Sequence, residues 1–275
     1  MAGNAIIKEA ARDVLGGRKS NGKKRPFLSF LKGKEAVIFF ALIIFLWQAV
    51  SEWASAQKGF LFPSIPVIIR AFRASLPELL RGTYSSFIIL IPGYLLAVVA
   101  GISSGIMVVN TPWLNRAFMP LARVVAPVPP TIYIPYAIAL LATFRGASIA
   151  VIFIGAYWPI FLNTAAGAAA VPRQYRDDAR ILGLTHFEYL RRVVFPASLP
   201  HSFSGMGVGL ALSFILLTVA ELFGANAGLG RFVQYYADYA DYPRMVAGII
   251  YTGFITFLAM ELLERIKKRT LFWVR

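Results

Sequence analysis

The chain has no cysteine and only two histidines, His186 and His201. Without cysteine there is no disulfide framework, no thiolate metal site and no thiol nucleophile. The histidines belong to no H-E-x-x-H or comparable metal spacing, and no G-x-S-x-G nucleophile elbow occurs. A G-x-x-x-x-G-K-[ST] phosphate loop is also missing, so the chain has no P-loop with which to hydrolyse ATP. Charge is scarce too. Charged residues make up 15% of the 275, whereas soluble domains carry roughly 25%. No regular series of carboxylates or histidines crosses the apolar stretches, which argues against a proton pump.

What the chain has in abundance is apolar surface: 58% of residues are hydrophobic and mean hydropathy is +0.65. The charge-free runs Gly82–Asn115, Val124–Phe144, Gly146–Pro172 and Val193–Ala220 each reach the roughly 20 residues that span a bilayer. Two shorter runs, Ala36–Ser51 and Met245–Met260, become adequate with Trp53 and Leu262–Leu263 included. About six transmembrane helices are therefore expected, in an all-α integral membrane protein.

The net charge of +15 raises the question of nucleic acid, and its placement answers it. With six spans, both termini share a side with the loops around 110–123 and 172–200. Those segments hold 21 of the 28 basic residues, which makes that side cytoplasmic by the positive-inside rule. The run Arg18–Arg25 suits anionic lipid headgroups, and no stacking aromatics or binding motif accompany it as nucleic-acid contact requires. Ala5–Leu15 has the spacing of a short surface helix. Ala54-Ser-Ala56 resembles a signal-cleavage site, but a basic region of about 34 residues is long for a signal.

Three regions are expected: a basic cytoplasmic segment over 1–34, a transmembrane domain over 35–265, and a basic tail over 266–275. Within the domain, Gly59–Gly82 reads as an external segment whose helix either covers the bundle or docks a partner. Gly101-x-x-x-Gly105 and Gly205-x-x-x-Gly209 let helices approach closely. Pro120, Pro127, Pro129, Pro130 and Pro135 break the third span. Trp158, Asn163, Ser213 and Thr218 are candidate pathway-lining residues, Asn163 needing either a neighbouring helix or a solute as partner. Glu221 ends the fifth span. A carboxylate at that depth must be paired, hydrated or at a helix end.

The segment Ala179–Pro200, "ARILGLTHFEYLRRVVFPASLP", is too charged to cross a bilayer. Tyr175–Leu182 is expected as a short helix stopped by Gly183. Thr185 and Glu188 then fit a capping box. A second helix places Phe187, Leu190 and Val194 on one face and ends at Pro196 and Pro200. An apolar face with no core of its own suits a helix-in-groove contact or the bilayer surface.

This segment resembles the cytoplasmic signature of ABC importer permeases: "EAA", three residues, Gly, nine residues, "I-x-L-P". Asp177, Asp178 and Ala179 stand at the first three positions, Gly183 is in register, Val193 and Phe195 replace Ile and Leu, and Pro196 is in place. "PVPPTIYIPYAIALL", "WPIFLNTAAGAAAVP", "FPASLPHSFSGMGVGLALSF" and "VAELFGANAGLGRFV" are similar to the nitrate/sulfonate/taurine branch, so the likeness covers roughly Pro63 to Arg269.

The resemblance implies a type I importer permease fold in a bacterial inner membrane. It implies a second permease subunit, two cytoplasmic nucleotide-binding ATPase subunits carrying ATP and Mg, and an extracytoplasmic substrate-binding protein. The chain itself would be no enzyme and hold no cofactor. The loop 173–200 would contact the ATPase through Asp177, Asp178, Ala179, Gly183, Leu190, Val193, Phe195 and Pro196. Trp158, Asn163, Ser213, Thr218 and Glu221 would line the pathway of a small anion or organic acid. The alternative is a self-sufficient secondary transporter or channel, which commonly shows inverted repeats; no internal repeat is evident here.

Overall fold

The computed structural model describes residues 35–56, 61–141 and 143–272. The stretch Ala5–Leu15 expected as a surface helix, the basic run Arg18–Arg25 and the last three residues lie outside them. The described residues are helical and contain no strand. Two units divide at Phe62–Pro63. In the first, α1 (Glu35–Ala56) is long and apolar enough to cross a membrane. The Ser51 hydroxyl donates to the Phe62 carbonyl at 2.9 Å, and Trp47 meets Phe62 edge to face.

The second unit opens with α2 (Ile65–Asn110), a single helix of 46 residues, about 70 Å long at 1.5 Å per residue. This corrects the expectation of an external segment separate from the second span. Gly59–Gly82 was set apart by its arginines and prolines, yet Pro66 lies in the first turn, where its missing N–H costs nothing, and Pro77 and Pro92 are absorbed inside the helix. Where the third span was expected, over Val124–Phe144, lie the end of α3 (Pro112–Val125) and α4 (Tyr133–Leu140), joined through a 3-10 turn at Pro130–Ile132 and bent by 76°; α3 takes the place of the loop expected around 110–123. The proline cluster does break the helix. Among the described residues, five helices are long and apolar enough to span, or six if the bent pair counts as one.

At the centre is α5 (Phe144–Ala169), packed between α2 and α8 (Phe195–Gly224). Both small-residue motifs serve this packing. A Cβ on Gly101 would sit 2.8 Å from Ile160 Cγ2, and one on Gly105 would sit 3.0 Å from the Phe161 carbonyl. On the other side, one on Gly205 would meet the Pro159 carbonyl at 2.7 Å. Three backbones approach because no side chain stands between them. Ile89, Ala97, Ile152, Ile160, Phe214 and Leu217 fill the core around this sandwich. After α8 come α9 (Leu229–Asp238) and α10 (Tyr242–Thr270), whose last turn carries Lys267, Lys268 and Arg269.

Candidate functional site

The segment 173–200 folds in three steps. The first is α6 (Arg173–Ile181). Its end is a Schellman closure: the Leu184 amide donates to the Ala179 carbonyl and the Gly183 amide to the Arg180 carbonyl, both at 3.0 Å. Gly183 has φ +69°, the left-handed conformation this closure uses. Next, Thr185 caps α7 (His186–Tyr189) in a complete capping box. The Glu188 amide donates to Thr185 Oγ1 at 3.3 Å, and Glu188 Oε2 accepts from the Thr185 amide at 3.0 Å and its hydroxyl at 2.9 Å. These two bonds, amide first, hold the Glu188 carboxyl below its ordinary range, with Arg192 at 3.5 Å adding to the effect.

The third step departs from expectation. Pro196 and Pro200 do not end the second helix. A π-helical turn, Leu190–Val194, carries it directly into α8, so His186–Gly224 is one run of 39 residues. The Phe195 amide reaches back five residues to the Leu190 carbonyl. This widened turn ends one residue before Pro196, which has no amide hydrogen to give to a carbonyl one turn back, and the helix continues past it.

The same turn divides the expected apolar face. Five residues at π pitch shift the helical phase, so Phe187 and Val194 part company: Phe187 is 69% exposed and Val194 is fully buried. The segment therefore has a core after all. Ala179, Tyr189 and Val194 pack with Ile106 of α2 and Ala168 of α5, and that anchor fixes the segment to two spans. Facing away from it are Ile181, Leu182 and Phe187, all mostly exposed. Asp177 and Asp178 are exposed, Asp177 pairing with Arg180 at 3.9 Å. Leu190, Val193 and Pro196 are half-buried, and Phe195 is exposed. Ala179 is buried and holds the segment against α2 and α5. Ile181 and Leu182 are the outward residues that the sequence reading omitted; their place just before the Gly183 stop was the available signal.

The expected pathway residues lie in α5 and α8. Asn163 Nδ2 donates to the Pro159 carbonyl at 2.8 Å, a carbonyl one turn earlier in α5. Trp158 stacks on Phe118 and meets Phe161 and Tyr157 edge to face. Ser213 and Thr218 donate to the carbonyls of Gly209 and Phe214 in their own helix. Ser213 is fully buried, while Trp158, Asn163 and Thr218 are half-buried.

Glu221 is fully buried. Its carboxylate accepts from the Ser86 hydroxyl of α2 and, at 2.6 Å, from the Gly230 amide in the first turn of α9. The Leu229 amide in turn donates to Ser86 Oγ at 2.9 Å. A carboxylate over free helix N-terminal amides is stabilised by both hydrogen bonds and the helix dipole. Glu221 thus meets the demand for pairing and a helix end together.

Residues 93–271, more than half of the chain, match the family model for the binding-protein-dependent transport system inner membrane component. The chain is 33% identical to a nitrate import permease protein, NrtB, of Leptolyngbya laminosa over 64% of its own length and 63% of that protein's. It is 27% identical to NrtB of Synechocystis over 88% of its length and 91% of the relative's. It is also 25% identical to the taurine transport system permease protein TauC of Escherichia coli, over 85% and 87%. Among solved structures, the MetNI methionine ABC transporter in inward-facing conformations matches 72% of this chain and 98% of that one, with TM-score 0.60 at 19% identity. The chain belongs to the binding-protein-dependent transport system inner membrane component family and is a multi-pass permease component of ABC importers.

Proposed function

We propose that this chain forms, with a second permease subunit, the pathway for a small anion or organic acid, and that segment 173–200 couples it to a separate ATPase. The observation carrying this reading is the continuity of His186–Gly224. One helical run begins at the outward-facing Phe187, passes the central sandwich, and ends at the Glu221 clamp. A push on the exposed apolar patch is therefore delivered to the whole membrane domain as a rigid displacement. Burial of Ala179, Tyr189 and Val194 against α2 and α5 stops the segment from yielding instead.

On this reading the 173–200 side and both termini are cytoplasmic, in a bacterial inner membrane. The regions 1–34, 35–265 and 266–275 are its basic segment, permease domain and tail. Two nucleotide-binding subunits hold ATP and Mg, and an extracytoplasmic binding protein delivers the solute. Transport is directional because ATP binds the two states of the assembly unequally. Among the pathway residues, Trp158, Asn163 and Thr218 retain exposed surface to offer a solute, whereas Ser213 and Glu221 act through packing. Nitrate, bicarbonate and taurine permeases among the relatives support a small oxyanion or sulfonate as solute.

The test is reconstitution in liposomes with the ATPase and binding protein. ATP-dependent nitrate, bicarbonate or taurine uptake that stops when the ATPase is omitted supports the reading. Uptake by this chain alone would establish the self-sufficient carrier instead.

A further inference from the structure

At the end of the bundle opposite segment 173–200, a cavity of about 340 Å³ opens between α2 and the start of α9. Glu78, Arg81, Asn226, Gly228, Arg231 and Tyr235 are among its lining residues. Its floor is fixed. A Cβ on Gly82 would lie 3.3 Å from the Gly228 backbone, so helix and turn are in near contact. The Ser85 hydroxyl holds the Ala227 carbonyl at 3.0 Å, and Ser86 with Glu221 holds the amides of Leu229 and Gly230.

The Glu221 carboxylate already occupies the amides at the start of α9, so the cavity's positive charge comes from the two guanidinium groups. Among the described residues neither Arg81 nor Arg231 forms an ion pair. Arg231 lies over the Tyr235 ring at 5.9 Å. The carboxylate on this wall, Glu78, is engaged by the Tyr236 hydroxyl at 2.9 Å. Two guanidinium forks from separate elements, neither in an ion pair among the described residues, thus line one cavity with a pinned floor, and each fork can donate two parallel hydrogen bonds to a planar or tetrahedral oxyanion.

We propose that Arg81 and Arg231 form an oxyanion-binding site at this mouth of the permease. The assignment of its ligand to the transported solute rests on the reading of the chain as an oxyanion importer; a lipid phosphate offers the same chemistry.

The experiment uses the full chain with its ATPase subunits in nanodiscs. In phosphatidylcholine discs, sodium nitrate and sodium sulfate are titrated against sodium chloride by calorimetry. In discs containing phosphatidylglycerol, retained lipid is counted by native mass spectrometry. Saturable binding of nitrate or sulfate, weakened about tenfold or more in Arg81→Gln/Arg231→Gln, supports the site with a free anion as ligand. Arg231→Lys falls between, because it keeps the charge and loses the fork. Retained phosphatidylglycerol lost in the same double variant supports the site with a lipid ligand. Arg73→Gln, whose residue is exposed on α2 outside the cavity, leaves both unchanged. Wild-type binding of anion and lipid in the double variant, or none in the native protein, overturns the proposal. Uptake is measured on the same purified proteins reconstituted with the binding protein in sealed liposomes, so an oxyanion site in an assembly that imports only neutral solutes refutes the transport reading and leaves the site standing.

Discussion

The Ser86 hydroxyl donates to Glu221 across 135 residues of sequence while accepting the Leu229 amide. Three elements, α2, α8 and α9, meet in that exchange. Removing the carboxylate with Glu221→Ala leaves the Gly230 amide and the Ser86 hydroxyl without their acceptor, at about 1–3 kcal/mol for each group left bare. Glu221→Gln keeps one acceptor oxygen and costs less. Denaturant unfolding in detergent micelles should rank native above Gln above Ala; equal stabilities for Ala and native would show that the clamp holds nothing.

Gly228 is the residue this clamp needs beside it. Its φ is +152° and a Cβ there would run into the Glu221 carboxylate. Gly228→Ala should lower stability, whereas Gly207→Ala, inside α8 where a Cβ meets nothing within 4 Å, should leave it unchanged or raise it by up to about 1 kcal/mol. Side-by-side melting of the two variants checks the contrast, and equal stabilities for the two would contradict it.

Gly183 combines a φ of +69° with open space around its missing Cβ. A substitution there is resisted by the backbone, at about 1–2 kcal/mol, and not by collision. Gly183→Asn should be the best tolerated, since Asn visits this conformation readily. Gly183→Trp should insert in the membrane normally yet lose solute-stimulated ATP hydrolysis in the assembled transporter. Normal coupling in that variant would remove Gly183 from the coupling surface.

The capping box makes a pH prediction. The Glu188 carboxyl is held below its ordinary range, so the stability it lends is present above the ordinary glutamate range and is lost as pH falls through its lowered value. Protection of the Glu188 and Tyr189 amides, taken relative to the intrinsic exchange rate at each pH, should fall over that acidic interval, and Thr185→Ala should lower it at neutral pH, with loss of about 1 kcal/mol. Protection unchanged across the interval would sever the link.

What could be read from the sequence follows the range of each interaction. Thr185 and Glu188 are three residues apart, and the Gly183 stop closes on Ala179 and Arg180, so both were legible locally. The paired glycines were legible as packing sites because only backbone approach explains their spacing. The π turn before Pro196 was not, since it records a compromise between a proline and a helix required to continue into the core; the exposure of Phe187 and burial of Val194 follow from it. The partners of Glu221 were equally hidden: the sequence showed that a carboxylate needed company, and only the fold brings Ser86 and the start of α9 to it. Asn163 had two candidate partners by composition, and the Pro159 carbonyl takes its amide within the same helix.

The absence of cysteine permits the most direct test of coupling, because any introduced thiol is unique in the chain. Leu182→Cys and Phe187→Cys should each cross-link to the ATPase subunit in the assembled transporter, with yields that change when ATP binds. Ile249→Cys, exposed on α10, should not. Cross-linking absent at 182 and 187, or no greater than at 249, would contradict the assignment of segment 173–200 as the ATPase contact.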